Sequence, residues 1–154
     1  MEYSKFDFVK KGSQGAIQIA DTSPALDTPE RYALLEAFPF QSRQPQLIHI
    51  HTPEFSAVCP GTGLPDIGTL DIEYIPNQKA VELKALKFYL FSFREEGVFQ
   101  EPVADLMFAH LHKLLEPRYL KIVLKYNTRG GFDTTTTQER GHRQILNPDV
   151  MQKL

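Results

Sequence analysis

Hydrophobic and polar positions change period several times along this chain, and each change marks an element. Between Gln46 and Thr52 they alternate, so Ile48 and Ile50 point one way while His49 and His51 point the other, as in a half-buried strand. A Pro/Gly-rich stretch follows. Ile67–Ile75 then alternates again, Ile67, Thr69, Asp71 and Glu73 against Leu70, Ile72 and Tyr74, and Pro76-Asn77 ends it. Strand, loop and strand predict an antiparallel pair. Glu82–Phe93 has no β-branched residue, and Leu83, Leu86, Leu90 and Phe93 recur at helical spacing. Glu101-Pro102 opens a second helix whose apolar stripe, Val103, Leu106, Met107, His110, Leu111 and Leu114, ends before Pro117. Tyr119–Tyr126 sets Leu120, Ile122 and Leu124 against Lys121, Val123 and Lys125, and Gly130-Gly131 turns into Thr134–Thr137, giving two more strands across a hairpin.

The order ββααββ predicts an α+β domain, one four-stranded antiparallel sheet with two helices on one face. Such a sheet leaves edge strands, and joining subunit to subunit in a ring is one way to protect them. Residues 1–45 are broken by Gly12, Gly15, Pro24 and Pro29, with apolar pieces around Ala16–Ala20 and a short helix expected at Pro29–Ala37 behind an N-cap at Thr28. They read as an arm packed on a core of residues 46–138, and the polar stretch 139–154 reads as a tail, all within one domain spanning 1–154. A chain of 154 residues can bury a core unaided. Its formal charge of −2 gives no electrostatic case for nucleic acid or an anionic membrane. No apolar run reaches the length of a membrane span, and the charged N-terminus does not read as a signal peptide. The single cysteine cannot form an internal disulfide, which favours a reducing, cytoplasmic setting.

That cysteine, Cys59, begins a loop of Pro60, Gly61, Gly63 and Pro65 that closes at Asp66. Such a turn can set a nucleophilic thiolate opposite a carboxyl able to give or take a proton. Cys59 as a small buried hydrophobe and Asp66 as a turn cap are the plainer readings. His49 and His51 share a strand face and with Cys59 offer three zinc ligands, but no fourth accompanies them, so no metal is expected. Lys84, Lys87 and Arg129 are either phosphate ligands or solvated surface charges. Glu101 suits a helix N-terminus through charge alone. Neither a GxGxxG fingerprint nor a Walker loop is present, so any dinucleotide binds outside a Rossmann fold.

Taken together, Cys59-Pro60-x-Thr62-Gly63-x-Pro65-Asp66, Glu82-Leu83-Lys84-Ala85-Leu86-Lys87-Phe88-Tyr89, Ser92-Phe93-Arg94, Glu101 and Arg129-Gly130-Gly131 resemble the NADPH-dependent 7-cyano-7-deazaguanine reductases of queuosine biosynthesis, the short single-domain nitrile reductases. The resemblance spans roughly residues 46–135. It implies the tunnelling fold, assembled as a homo-oligomeric ring such as a decamer of two pentamers, with active sites between subunits. It implies that Cys59 adds to the nitrile carbon to form a thioimide and that Asp66 donates the proton. By the same resemblance Val81, Glu82, Leu83, Gln100 and Glu101 meet the deazaguanine, and Lys84, Lys87 and Arg129 meet NADPH phosphates. Gln100 stands where the family usually has histidine, and Gln carries no proton near neutral pH. Leu83 replaces a common serine. Two alternatives remain: an amidine-forming relative, which lacks the Lys-x-x-Lys pair, and a non-catalytic binder of deazaguanines or pterins.

Overall fold

The computed structural model describes residues 26–146; the apolar pieces around Ala16–Ala20 and the end of the polar tail lie outside the described residues. The elements are α1 (Pro29–Tyr32), β1 (Ala37–Pro39), β2 (Ile48–Val58), β3 (Pro65–Ile75), β4 (Lys79–Val81), α2 (Leu83–Phe91), α3 (Gln100–Leu115), β5 (Tyr119–Tyr126), β6 (Thr135–Gly141) and a 3-10 turn at Arg143–Leu146. Strands β2-β3-β5-β6 form one antiparallel sheet, and β1 and β4 form a separate two-stranded one. Among the described residues no helix is long and apolar enough to cross a membrane.

Three boundaries differ from the sequence reading. Strand β2 runs on to Val58, because a bulge between Thr52 and Phe55 absorbs Pro53 and Glu54 and lets pairing resume. The bulge also reverses parity. Ile50 pairs with Ile72 and Thr52 with Leu70, yet beyond the bulge Phe55 pairs with Gly68 and Ala57 with Asp66, so even and then odd residues of β2 share one face. Strand β6 reaches Gly141, past the expected start of the tail, because its hydrogen bonds to β5 do not depend on an apolar face. Helix α1 stops at Tyr32 rather than Ala37, since Ala37 joins β1.

One sheet face, Leu70, Ile72, Tyr74, Leu120, Ile122, Leu124 and Tyr126, packs against Tyr89 and Phe93 and the α3 stripe of Val103, Met107 and Leu111, all buried. The other face is polar, and there His49 Nε2 and His51 Nδ1 both meet Asp71 Oδ1, at 2.7 and 2.9 Å. A buried guanidinium ties α1 to the α2–α3 connection. Arg31 donates to Leu26 O at 2.6 Å, Ser92 Oγ at 2.9 Å, Ser92 O at 3.1 Å and Glu96 Oε1 at 2.6 Å, and lies 4.7 Å from the Phe93 ring centroid. An ion buried this deeply is tolerated only with its donors satisfied. The anchored connection then bonds to β2, Val58 N to Glu96 O at 2.9 Å and Val98 N to Val58 O at 3.1 Å.

Gly68 lies opposite Tyr126, where a Cβ would stand 2.5 Å from Lys125 O and 2.9 Å from Tyr126 Cδ1. Gly68→Ala is expected to force β3 and β5 apart there, costing about 1–3 kcal/mol. Gly97→Ala, whose Cβ would come no closer than 3.8 Å to Pro60 Cα, is the near-neutral control. Thermal unfolding of both variants checks this, and equal midpoints would contradict the close approach at Gly68.

Candidate active site

Only Cys59–Leu64 is loop; the flanking residues belong to β2 and β3. Cys59 N bonds to Leu64 O and Gly63 N to Cys59 O, both at 2.8 Å, and Gly63 takes φ +72°, a conformation glycine adopts without penalty. Cys59 is partly exposed. It lies one residue beyond Val58, the last paired position of β2, whereas His49 and His51 lie toward the other end of that strand, bonded to Asp71. The arrangement that would have joined Cys59 to those histidines on one metal is therefore not formed.

Asp66 pairs with Ala57 across the strands and so lies on the same helix-covered face, 4% exposed. Its carboxylate accepts from Arg129 Nη1 at the β5–β6 hairpin. Burial raises the Asp66 carboxyl above its ordinary value, and the Arg129 guanidinium opposes that rise without cancelling it. A raised proton affinity suits a carboxyl that must both give and take a proton.

The start of α3 lies close by, because the Val58–Gly97 bridge brings Val98 to the base of the loop. Phe99 at the N-cap offers no side-chain acceptor, so the first N–H groups of α3 keep their partial positive charge. Gln100 is 1% exposed, with Oε1 unpartnered among the described residues; Glu101 is exposed in the first turn. The sequence reading missed Tyr126. Its side chain is buried, stacked on Phe55 with centroids 6.0 Å apart, and Arg129 lies 4.9 Å from its ring centroid. Its hydroxyl has no partner among the described residues. Burial, then the Asp66 carboxylate, raises its proton affinity, Arg129 opposes, and Glu101 adds a smaller rise, so these groups share one electrostatic neighbourhood. Only its place as the last apolar position of β5 hinted at this.

The remaining candidates lie elsewhere. Val81 is buried in β4 and donates its N–H to Tyr74 Oη at 3.2 Å. Glu82 caps α2, accepting from Lys84 N at 3.0 Å and Ala85 N at 2.6 Å, and these bonds hold its carboxyl below the usual range. Leu83, Lys84 and Lys87 are exposed. Val81 bonds to Tyr74, which is eight residues from Asp66 along β3, or roughly 27 Å of strand at ~3.4 Å per residue, so Val81 and Glu82 lie toward the far end of β3 from Asp66. One chain therefore gathers Cys59, Asp66, Gln100, Glu101 and Arg129 at one end and Val81, Glu82, Leu83 and Lys84 toward the other. A cavity of about 350 Å3 between β2 and α2 is lined by Ile50, Phe55, Leu83, Leu86, Lys87 and Arg94, among others. Lys87 and Arg94 lie 5.5 and 3.8 Å from the Phe91 ring centroid. Its lining also includes Thr52 and Glu54, so its walls are largely apolar with charges of both signs at the rim.

Comparison with known proteins identifies the family. The family model described as QueF-like protein matches residues 65–145. A protein of Nitrosospira multiformis named NADPH-dependent 7-cyano-7-deazaguanine reductase is 45% identical over 109 residues, covering 70% of this chain and 78% of its own. One of the same name from Chloroherpeton thalassium is 46% identical over 105 residues, covering 68% and 90%. A solved structure titled archaeosine synthase QueF-Like in the apo form superposes with a TM-score of 0.58 at 25% identity, covering 65% of this chain and 98% of that one. The α+β tunnelling fold expected from the sequence stands with that superposition. On a match to more than half the chain and relatives covered over most of their length, the chain belongs to the QueF-like protein family.

Proposed function

We propose that this protein reduces the nitrile of 7-cyano-7-deazaguanine to the aminomethyl group with NADPH, in queuosine biosynthesis. The reductases of this name are its relatives, and one observation carries the reading to its residues: the sole cysteine opens, and a buried carboxyl of raised proton affinity follows, the short loop joining two paired strands at one end of the sheet. In the first step Cys59 Sγ bonds to the nitrile carbon and one π bond of the C≡N breaks. Asp66 takes the thiol proton and passes it to the nitrogen, leaving a thioimide on Cys59. NADPH bound twice in succession would supply one hydride each time: after the first, the Sγ–C bond would break to return Cys59 as thiolate and leave the imine, which takes the second, so nitrile to amine consumes two hydrides and two protons. The exposed carboxylate of Glu101 suits the N–H edge of the deazaguanine, and Gln100 Oε1 is a second acceptor. Lys84 and Lys87 would hold phosphate, with the apolar cavity beside Lys87 for a ring.

The separation of the two residue groups along β3 supports a site shared between copies of the chain. Cys59 and Asp66 would come from one protomer, Glu82, Leu83 and the lysines from its neighbour, within a homo-oligomeric ring. The structural neighbour titled archaeosine synthase keeps the amidine-forming alternative in view, but the Lys84/Lys87 pair and the cavity beside Lys87 favour a cofactor-using enzyme.

Mixing protein with the nitrile, without NADPH, is expected to add the nitrile's mass to Cys59, absent in Cys59→Ala; with NADPH, absorbance at the nicotinamide band falls and the product has the mass of the amine. A product with the amidine mass, or binding without adduct, would replace the reductase reading. For the shared site, Cys59→Ala and Lys87→Ala are each expected to be at least tenfold impaired, and a mixture of the two, unfolded and refolded together, to regain activity. A mixture no better than its parts would mean that each chain builds its own site.

A further inference from the structure

Phe55, Gly68 and Tyr126 form one row across three strands, Phe55 pairing with Gly68 and Gly68 with Tyr126. The middle residue has no side chain, so the two rings meet over it, stacked at 19° with centroids 6.0 Å apart. A Cβ at Gly68 would lie 2.9 Å from Tyr126 Cδ1, a measure of how closely the ring is seated on the central strand. The Tyr126 ring is thus fixed by the sheet. Its hydroxyl meets no partner among the described residues, so the ring and not the Oη makes its contacts. One of those contacts is with a charge: the guanidinium carbon of Arg129 lies 4.9 Å from the ring centroid. Asp66 stands two residues from Gly68 on the same face of β3, and its carboxylate accepts from that same guanidinium.

Arg129 has little else to hold it. It stands on the hairpin between β5 and β6, its side chain is 37% exposed, and its N–H and carbonyl bond to Phe132 across the turn. Among the described residues its side chain makes one hydrogen bond, to Asp66. Holding a long side chain in one conformation for a single bond costs rotamer freedom. An aromatic face beside the guanidinium offsets that cost through cation–π attraction and stacking.

We propose that Tyr126 is a positioning residue for the nitrile reaction: its ring, stacked on Phe55 and seated over Gly68, is the platform that keeps the Arg129 guanidinium on Asp66, the carboxyl that exchanges the Cys59 proton. The inference rests on the nitrile-reductase reading and concerns the enzyme before any cofactor binds. The other charged or titratable groups at this end are Glu101 from α3 and Cys59 from the loop after β2, and the cation that acts on Asp66 is Arg129. Burial favours the neutral form of the carboxyl, and the guanidinium favours the carboxylate. With the guanidinium held in place, the base form of Asp66 persists to lower pH. Where it swings into solvent, burial alone decides and the carboxyl keeps its proton to higher pH.

The test is the rate of Cys59 adduct formation with 7-cyano-7-deazaguanine across pH, without NADPH, read by mass spectrometry. Below the pKa of Asp66 no base remains to take the thiol proton, so the acid limb marks that carboxyl. Arg129→Gln removes the cation and is expected to move the limb upward by roughly one pH unit or more. Tyr126→Leu is expected to move it the same way by about half a unit or more, and Tyr126→Phe, which keeps the ring, to restore the wild-type limb. In the Arg129→Gln background Tyr126→Leu is expected to move the limb no further, because the platform then has no cation to hold. Should Tyr126→Leu not fold, Tyr126→Met, long and without an aromatic face, carries the same expectation. A limb unmoved by loss of the ring overturns the proposal, as does a limb that Tyr126→Phe moves as far as Tyr126→Leu. A shift of equal size with and without Arg129 overturns it too, since Tyr126 would then act through packing alone. A wild type that forms no adduct overturns the functional reading instead, a result distinct from the other three.

Discussion

Two backbone hydrogen bonds at Val58, one accepted by Glu96 and one donated by Val98, decide where the chemistry of this protein can happen. They join the sheet to the connection between the two long helices at the residue before Cys59. Without them the cysteine loop would hang from the end of a hairpin with nothing beside it. With them the first turn of α3, bearing Gln100 and Glu101, is brought to the same end of the sheet. The bonds hold only if the connection itself is fixed, and Arg31 does this from inside the fold through Ser92 and Glu96. A cation buried far from Cys59 in sequence thereby helps set the surroundings of Cys59. The bulge in β2 completes the placement by reversing parity, so that Phe55 and Ala57 face the helices up to the start of the Cys59 loop.

The same end of the sheet collects polar groups that the fold leaves uncompensated. Tyr126 Oη and Gln100 Oε1 are buried and unpartnered among the described residues, and Asp66 is buried against a single guanidinium. Each unpaired group costs about 1–3 kcal/mol, a price an apolar residue of similar size would avoid. Farther along, the face between β3, β5 and α3 is filled by Leu70, Ile72, Leu111, Ile122 and Leu124. Unpartnered oxygens occur elsewhere too, at Glu73 Oε2 and Gln138 Oε1, so it is the conjunction with Cys59 and Asp66 that marks this end. A polar ligand that satisfied these groups would recover part of that cost as binding energy.

Periodicity was enough for the elements that bury a regular face. Leu120, Ile122 and Leu124 outlined β5, and the stripe from Val103 to Leu114 outlined α3, because those side chains meet one continuous core. It failed where tertiary contacts override local pattern. Pro53 reads as a strand end, and only the pairing with β3 shows the strand resuming at Phe55. The short β1–β4 pair has too few residues for any period, and β6 carries polar residues on both faces at a sheet edge. Of the candidate site, Cys59 and Asp66 were legible from loop chemistry. Arg31 and Tyr126 were not, since a lone arginine near a helix start and a tyrosine at a strand end carry no sign of burial. Arg129 was legible as a cation, but that it meets Asp66 follows only from the hairpin's return past β3.

The distribution of exposed apolar side chains bears on how the two distant groups of residues come to serve one substrate. Leu64, Ile67 and Phe132 are exposed around the cysteine end, and Leu83, Phe88 and Phe91 are exposed along α2, beside the lysines. These are the places where the candidate residues lie, while the open sheet face is held by His49, His51, Asp71, Lys121 and Lys125. Apolar surface left in patches, rather than singly, marks where another molecule docks. A small substrate cannot reach both Asp66 and the Tyr74 end of the same strand, toward which Val81 and Glu82 lie. Two copies packed so that the cysteine end of one covers α2 of the next would bury both patches together. That single contact would bring Glu82 and the lysines to Cys59.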